Sequence, residues 1–255
     1  MMSIFAGTAA YYDDFRPGVP PEVVDCIISA VARSDTLLDL GSGTGRITEQ
    51  FASYFREIIA VEPDAEMTTF ARRRLARFPA TVLHTTAEEM SLPDGWQASV
   101  CTISRAFHWM DRPKVLHRLE QIMASDGVIA IFSDDSFWHV TSDWATVMKK
   151  TLARFIGPER RTTMGAYKPP RDYFSENFSS SVFTQLEYHT IPVVRTWTAD
   201  QIIGYLYSTS FASHAVLGDK APAFERELRQ GLARLSPSNY FTEHNHFDIL
   251  LARRG

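Results

Sequence analysis

One short stretch constrains the fold more than any other: Gly41-Ser42-Gly43-Thr44-Gly45, set directly between an apolar run and an amphipathic one. Before it, Thr36-Leu37-Leu38-Asp39-Leu40 has the length and side chains of a short buried strand. After it, Ile47, Phe51, Tyr54 and Phe55 are apolar at helical spacing. Glycines tolerate positive φ and let a ligand approach the backbone, and a helix start presents N–H groups with no partner inside the helix. A strand, a glycine turn and a helix in this order fit an open α/β sheet, where ligands bind at the carboxyl ends of the strands near the switch point.

The flanking segments agree. A helix after Pro20-Pro21 gathers Val23, Val24, Ile27, Ile28 and Val31 on one face. Strand patterns follow at Ile58–Glu62, Thr81–His84, Val100–Ser104 and Val128–Phe132, the last begun by Gly127. Between them lie a helix with Met67, Phe70, Ala71, Leu75 and Phe78 inward and another, capped by Asp111, that buries Val115, Leu116, Leu119, Ile122 and Met123. Arg72, Arg73, Arg74 and Arg77 read as a solvated helix face, with a phosphate or nucleic-acid site as the alternative. This alternation predicts a doubly wound α/β fold with a mostly parallel sheet covered on both faces.

Beyond Asp134 the rhythm changes. Residues 136–181 are rich in aromatics, Arg, Lys and Ser, with a Pro169-Pro170 break, and read as an irregular, partly helical cap. Strand pattern returns over Val182–Trp197, helices over Asp200–Ser213 and Ala221–Leu235, and a strand over Phe247–Leu251. The two late strands are expected to pair antiparallel at the sheet edge. The expected organisation is one domain over 1–255: an N-terminal lid to about residue 20, a core over 21–134, a cap over 135–181, and late core elements over 182–255.

Composition narrows the function classes. Hydrophobic residues make up 45% and charged residues 22%, ordinary for a folded protein. A net charge of −4 gives no long-range pull on nucleic acid or an anionic membrane, so neither is expected as a partner. Cys26 and Cys101 sit among apolar neighbours and read as core thiols, not as a disulfide or metal site; no metal is expected, and a reducing cytoplasm fits. The first residues lack the basic-then-apolar pattern of a signal peptide, and no apolar run approaches a membrane span.

The glycine spacing bears on chemistry. A dinucleotide turn reads G-x-G-x-x-G and a phosphate loop needs a lysine after its last glycine; this one reads G-x-G-x-G with no lysine following. It suits an amino-acid-bearing nucleoside without a pyrophosphate; a purely structural turn is the other reading. Glu62 ends the second strand, where a carboxylate accepts from both ribose hydroxyls; Asp64 is free to cap the next helix. Met67 packs either on an adenine face or in plain helix core. Thr86-Ala87-Glu88-Glu89 offers a backbone N–H and an acid to an adenine edge. Ser104-Arg105-Ala106-Phe107-His108-Trp109, after the fourth strand, is expected to border the same crevice.

Taken together these residues resemble the class I methyltransferases that use S-adenosylmethionine (SAM), in the small-molecule branch with a ubiquinone/menaquinone-type methyltransferase domain. The matching pieces are Leu38 to Gly45, Val61 to Met67, Ala87-Glu88-Glu89, Ala106 to Trp109, and Asp126-Gly127, in that order. Tyr11 to Gly18 and the run from Trp197 through Tyr205 to Ser210 are also similar to that branch.

The resemblance implies a seven-stranded Rossmann-like sheet with an antiparallel last strand and a helical cap insertion. It implies SAM as cofactor, S-adenosylhomocysteine as product and a small-molecule acceptor, with the protein a monomer or homodimer. Gly41, Ser42 and Gly43 would line the methionine part of SAM, Asp39 would orient its ammonium directly or through water, and the Ser104 carbonyl, beside Arg105 and Ala106, would accept from that ammonium. Glu62, with Pro63 and Met67 beside it, would hold the ribose, and Ala87 and Glu88 would meet the adenine. Arg16 would pair with the SAM carboxylate and Tyr12 would close over it. Phe107, His108, Trp109 and Tyr205 would face the acceptor, with His108 as candidate base. The chain departs from the branch where Ser99 replaces the usual acid and Arg105 the frequent glutamine; a cation there hints at an acidic or carbonyl-bearing acceptor. The rival functions are a SAM-binding sensor or rearrangement catalyst, which would keep every donor contact, and a nicotinamide dehydrogenase, which the glycine spacing opposes.

Overall fold

The computed structural model describes residues 7–32, 34–135, 139–157 and 177–255. Short runs of Leu, Ile and Val too apolar for a sheet surface become the central strands β1 (Thr36–Leu40), β2 (Glu57–Glu62) and, after the edge strand β3 (Ala80–His84), β4 (Ala98–Ser104). With β5 (Met123–Asp134), β6 (Gln185–Trp197) and β7 (Phe241–Arg253) they form one seven-stranded sheet in the order β3-β2-β1-β4-β5-β7-β6. The first five strands pair in parallel and β7 runs antiparallel to β5. Thr36 and Ser99 fasten β1 to β4: the Ser99 N–H donates to the Thr36 hydroxyl at 2.9 Å.

Helix α1 (Ala9–Phe15) and helix α2 (Pro21–Ser29), with proline in its first turn, precede the sheet. Helix α3 (Arg46–Phe51) joins β1 to β2, α4 (Ala65–Leu75) joins β2 to β3, and α5 (Arg112–Ile122) joins β4 to β5. Side chains start two of them: Asp64 accepts from the N–H groups of Glu66 and Met67, and Asp111 from that of Lys114. Strand order runs outward from β1 in one direction and from β4 in the other. Right-handed crossovers then put the two sets of helices on opposite faces and open a crevice at the carboxyl ends of β1 and β4.

The described residues fall into two compact units. The larger holds Gly18–Asp134, 177–191 and Phe247–Gly255, around a core that includes Leu38, Ile59, Val61, Ile103 and Ile129. The smaller holds 7–17, 135, 139–157 and Pro192–His246, with helices α6 (Asp143–Ile156), α7 (Ala199–Tyr207), α8 (His214–Leu217) and α9 (Ala221–Leu235). Its own core includes Trp144, Met148, Trp197, Ile202 and Phe224. Residues 136–138 and 158–176 of the expected cap lie outside the described residues.

Several element boundaries differ from the sequence pattern, and three of them bear on the packing. The fifth strand begins at Met123, which pairs with Ala98 before the register shifts ahead of the Val100–Val128 pair. Helix α7 stops at Tyr207 because the hydroxyls of Ser208 and Thr209 turn back onto the carbonyls of Tyr205 and Leu206, both at 2.6 Å. Strand β7 starts at Phe241, since Glu243, polar in sequence, is fully buried there. Cys26 and Cys101 are free thiols, and burial pushes both above their ordinary pKa. Among the described residues no helix is long and apolar enough to cross a membrane, and no cluster of His, Cys, Asp and Glu fits a metal ion.

Candidate active site

All three glycines after β1 take positive φ: 71° at Gly41, 57° at Gly43 and 78° at Gly45. Gly41 also lacks room for a side chain, since a Cβ there would lie 2.5 Å from the Cβ of Ala106. The N–H groups of Gly41 and Ser42 donate to the Val61 carbonyl at 2.9 and 3.1 Å, tying the turn to the end of β2.

Glu62 closes β2 directly beneath that turn. One of its oxygens accepts from the Gly43 N–H and the other from the Asp64 N–H, each at 2.9 Å. Each carboxylate oxygen keeps a further lone pair, the geometry a vicinal diol requires. Burial raises the Glu62 pKa, and the two N–H bonds pull it partly back. Asp64 performs the helix capping, which leaves Glu62 for other work.

Asp39 lies within β1 and is 2% exposed. Thr102 donates to one of its oxygens at 2.8 Å and Thr48 donates to the other. Burial pushes its pKa up to about 6 against the pull of those two bonds. The carboxylate thus braces β1 against β4 and α3.

Three buried side-chain hydroxyls have no hydrogen-bond partner among the described residues: Ser42, Thr44 and Ser104. The first two follow β1 and the third ends β4, so all three lie at the carboxyl ends of the two strands flanking the switch point. Native proteins leave few such groups unbonded, and each calls for a reason.

After β4 the chain turns sharply. Arg105 has φ 54°, its Nε lies 2.5 Å from an Asp134 oxygen, and its guanidinium lies 5.3 Å from the centre of the Phe247 ring. Asp134 therefore pairs with the charge that the sequence placed at the acceptor's rim. Ala106 is half-buried against Gly41, and Phe107 is a core ring beside Phe178. His108 is exposed as a residue, yet crowding of its ring, and then the Arg112 guanidinium, push its pKa down to about 4. Whichever of these weighs more, the imidazole is neutral at pH 7. Its ring centre lies 4.8 Å from that of half-buried Trp109.

The adenine-side residues follow. Ala87 is buried in the core, and Glu88 accepts from the Asp111 N–H at 2.7 Å. Met67 is buried in the first turn of α4, and Pro63 is exposed.

In the smaller unit, Arg16 donates to the hydroxyls of Ser208 at 2.8 Å and Tyr205 at 3.0 Å. Its guanidinium lies 5.1 Å from the ring centre of Tyr12 and 4.3 Å from that of Tyr205. The structure thus gathers the three sequence-selected residues Tyr12, Arg16 and Tyr205.

Several participants escaped the sequence reading. Thr102 sits opposite Asp39 in the β1–β4 register, a signal visible only once that pairing is known. Thr48 reaches Asp39 from α3. Arg74, read with its neighbours as a solvated face, is half-buried; its Nε donates to the Thr44 carbonyl at 3.2 Å and its Nη1 to Glu49 at 2.8 Å. The available signal was its place beside the apolar Ala71–Leu75 stripe.

The fold and the turn define an open α/β protein with a glycine-rich turn at its switch point. Residues 38–131 match a family model described as a methyltransferase domain. An uncharacterized methyltransferase of Mycobacterium tuberculosis is 33% identical over 234 residues, spanning 91% of this chain and 87% of that one. One of Schizosaccharomyces pombe is 24% identical over 195 residues, spanning 73% and 74%. Among solved structures, a provisionally assigned type II methyltransferase of Anaeromyxobacter dehalogenans superposes with a TM-score of 0.68 at 22% identity, covering 94% of this chain and 98% of that one. A phosphoethanolamine N-methyltransferase of Haemonchus contortus, solved with phosphomonomethylethanolamine and S-adenosylhomocysteine, shares the fold with a TM-score of 0.56 at 14% identity over 100% of this chain and 60% of its own. The chain belongs to the class I SAM-dependent methyltransferases. Its methyl donor is SAM.

Proposed function

We propose that the crevice at the carboxyl ends of β1, β2 and β4 holds SAM and that the enzyme methylates a small-molecule acceptor, a metabolite or natural-product intermediate, in the cytoplasm. One observation carries this reading: Ser42, Thr44 and Ser104, at the carboxyl ends of β1 and β4, have buried hydroxyls with no partner among the described residues. Leaving such a group buried and unpaired costs about 1–3 kcal/mol, which a polar ligand recovers.

The residues fit the donor part by part. Gly41, Ser42 and Gly43 give close backbone approach to the methionine portion, with the Ser104 carbonyl and Ala106 across from them. Glu62 offers its remaining lone pairs to the ribose hydroxyls, with Pro63 and Met67 adjoining. Ala87 and Glu88 frame the adenine. Phe107, His108 and Trp109 lie on the acceptor's side. In the smaller unit, Arg16 is held by two tyrosines and a serine and has no carboxylate partner among the described residues, which suits an anionic group.

SAM supplies an electrophilic methyl group, so the protein's share is alignment and exclusion of water. The neutral, weakly basic His108 suits a hydrogen bond that orients the acceptor's nucleophile better than it suits removal of a tightly held proton. A net charge of −4 favours a small acceptor over nucleic acid.

Calorimetric titration with SAM, S-adenosylhomocysteine and NAD tests the site: the first two are expected to bind and the third not. Mass spectrometry of small-metabolite pools incubated with enzyme and SAM tests the reaction through the gain of one CH2 unit. A folded protein that ignores SAM, or one that binds it yet methylates only macromolecules, would refute the corresponding half.

A further inference from the structure

Arg105 stands apart from the other residues around the crevice. Among described residues, only it and Asn239 take a positive φ without being glycine. An L side chain disfavours that region and stays there only when its surroundings over-determine it. Here they do. The Arg105–Asp134 ion pair is 14% exposed on one side and 10% on the other, and the guanidinium lies over Phe247. The Arg105 N–H donates to the Phe132 carbonyl at 3.0 Å. Asp134 and Phe247 are themselves register partners on the antiparallel strands β5 and β7, so both anchors belong to one rigid platform.

The consequence falls on the neighbours of Arg105. The left-handed corner turns Ala106 toward Gly41, so closely that a Cβ on Gly41 would lie 2.5 Å from that of Ala106. On the other side of the corner stands Ser104, whose buried hydroxyl has no partner among the described residues. The corner therefore joins the two groups that face the glycine turn across the β1–β4 switch point.

We propose that Arg105 is a positioning residue for the methyl donor: clamped by Asp134 and Phe247, it holds the backbone corner that seats Ala106 against Gly41 and sets Ser104 along the crevice before SAM arrives. The inference rests on the reading of this crevice as the SAM site. Arg105 acts through the shape of the main chain, while its charge is directed to Asp134.

The test separates shape from charge by calorimetric titration with S-adenosylhomocysteine. The double variants R105G/D134N and R105A/D134N both remove the ion pair without stranding a buried carboxylate. They differ in that glycine accepts φ near +54° freely and alanine does not. The alanine pair is expected to lose about tenfold or more in affinity, and the glycine pair to bind at least about fivefold tighter than the alanine pair. Equal affinities, or tighter binding by the alanine pair, would overturn the proposal. A second ranking guards against misfolded doubles: R105K, which keeps the pair, should bind more tightly than R105M, which strands Asp134, and parity there would also overturn it. Wild-type protein that fails to bind S-adenosylhomocysteine would instead remove the SAM assignment on which the inference stands.

Discussion

Two buried polar regions, one in each unit, differ in the state of their partners. In the larger unit, the turn after β1 and the end of β4 carry three buried hydroxyls without partners among the described residues and three glycines at positive φ. In the smaller, fully buried Glu243 accepts from Trp197 at 2.7 Å, from Asn245 at 2.6 Å and from Arg195 at 3.4 Å, while the hydroxyls of Ser208 and Thr209 bond to their own helix. A buried carboxylate whose two oxygens are both engaged holds its element in one packing. Incomplete networks at a crevice mark where a ligand finishes the job. Burial of polar atoms alone does not distinguish a structural centre from a binding centre; the state of their partners does.

The sharpest test of that contrast is Gly41→Ala. The new methyl group meets Ala106 and the backbone sits at φ 71°, so the turn must move. Crowding and left-handed strain together are expected to weaken S-adenosylhomocysteine binding by about 100-fold, read by calorimetry. A loss of less than about threefold would mean the turn is not the binding surface. In the smaller unit, Glu243→Ala is expected to cost about 3 kcal/mol of stability in denaturant unfolding, because it strands buried donors, while the affinity for S-adenosylhomocysteine stays the same. A large change in affinity there would break the comparison.

Glu62→Gln comes next in size. The amide can accept one of the two N–H bonds but must present its own N–H to the other, and it offers the ribose one acceptor fewer. About 2 kcal/mol of donor affinity should be lost, measured on a variant whose fold is verified by circular dichroism. Unaltered affinity would remove the ribose role.

How much of this was legible in the sequence follows from how far each interaction reaches. The glycine turn, Glu62 and Asp64 lie within one strand–turn–helix–strand–helix stretch, and their division of labour could be read from spacing. The Arg105–Asp134 pair spans 29 positions and depends on β4 lying beside β5, so sequence left Arg105 as a bare cation. The Arg16–Ser208 bond spans 192 positions; no local pattern announces it. Helix α7 ends at Tyr207 through side chains that also occur inside helices, and β7 begins six residues early because its buried Glu243 looks like a surface residue in one dimension. The doubly wound, mostly parallel architecture was legible because it follows from the alternation of strand and helix patterns, which needs no long-range partner; the strand order was not.

Asp39 lies between the two kinds of buried group, a donor-loop residue whose oxygens are already taken by Thr48 and Thr102. Its native pKa of about 6 is above the usual carboxylate range, chiefly through burial. The sign follows from proton binding. Below about pH 4 both the folded and unfolded chains hold the proton, and the group contributes no pH dependence. Between about pH 4 and pH 6 the folded protein keeps a proton that the unfolded chain has released, so stability falls as pH rises, and above that window the full cost of the buried charge is present. A shift of about two units sets a ceiling near 3 kcal/mol. Asp39→Asn removes the charge but must turn one threonine hydroxyl round to accept from its amide, so the expected gain is about 1 kcal/mol at neutral pH. Melting curves of the two proteins should converge near pH 4 and separate by about pH 7. With both oxygens held by threonines, the separation is expected to persist in saturating S-adenosylhomocysteine. If the ligand erases it, the carboxylate meets the donor's ammonium directly, and Asp39 joins the unfinished groups of the crevice.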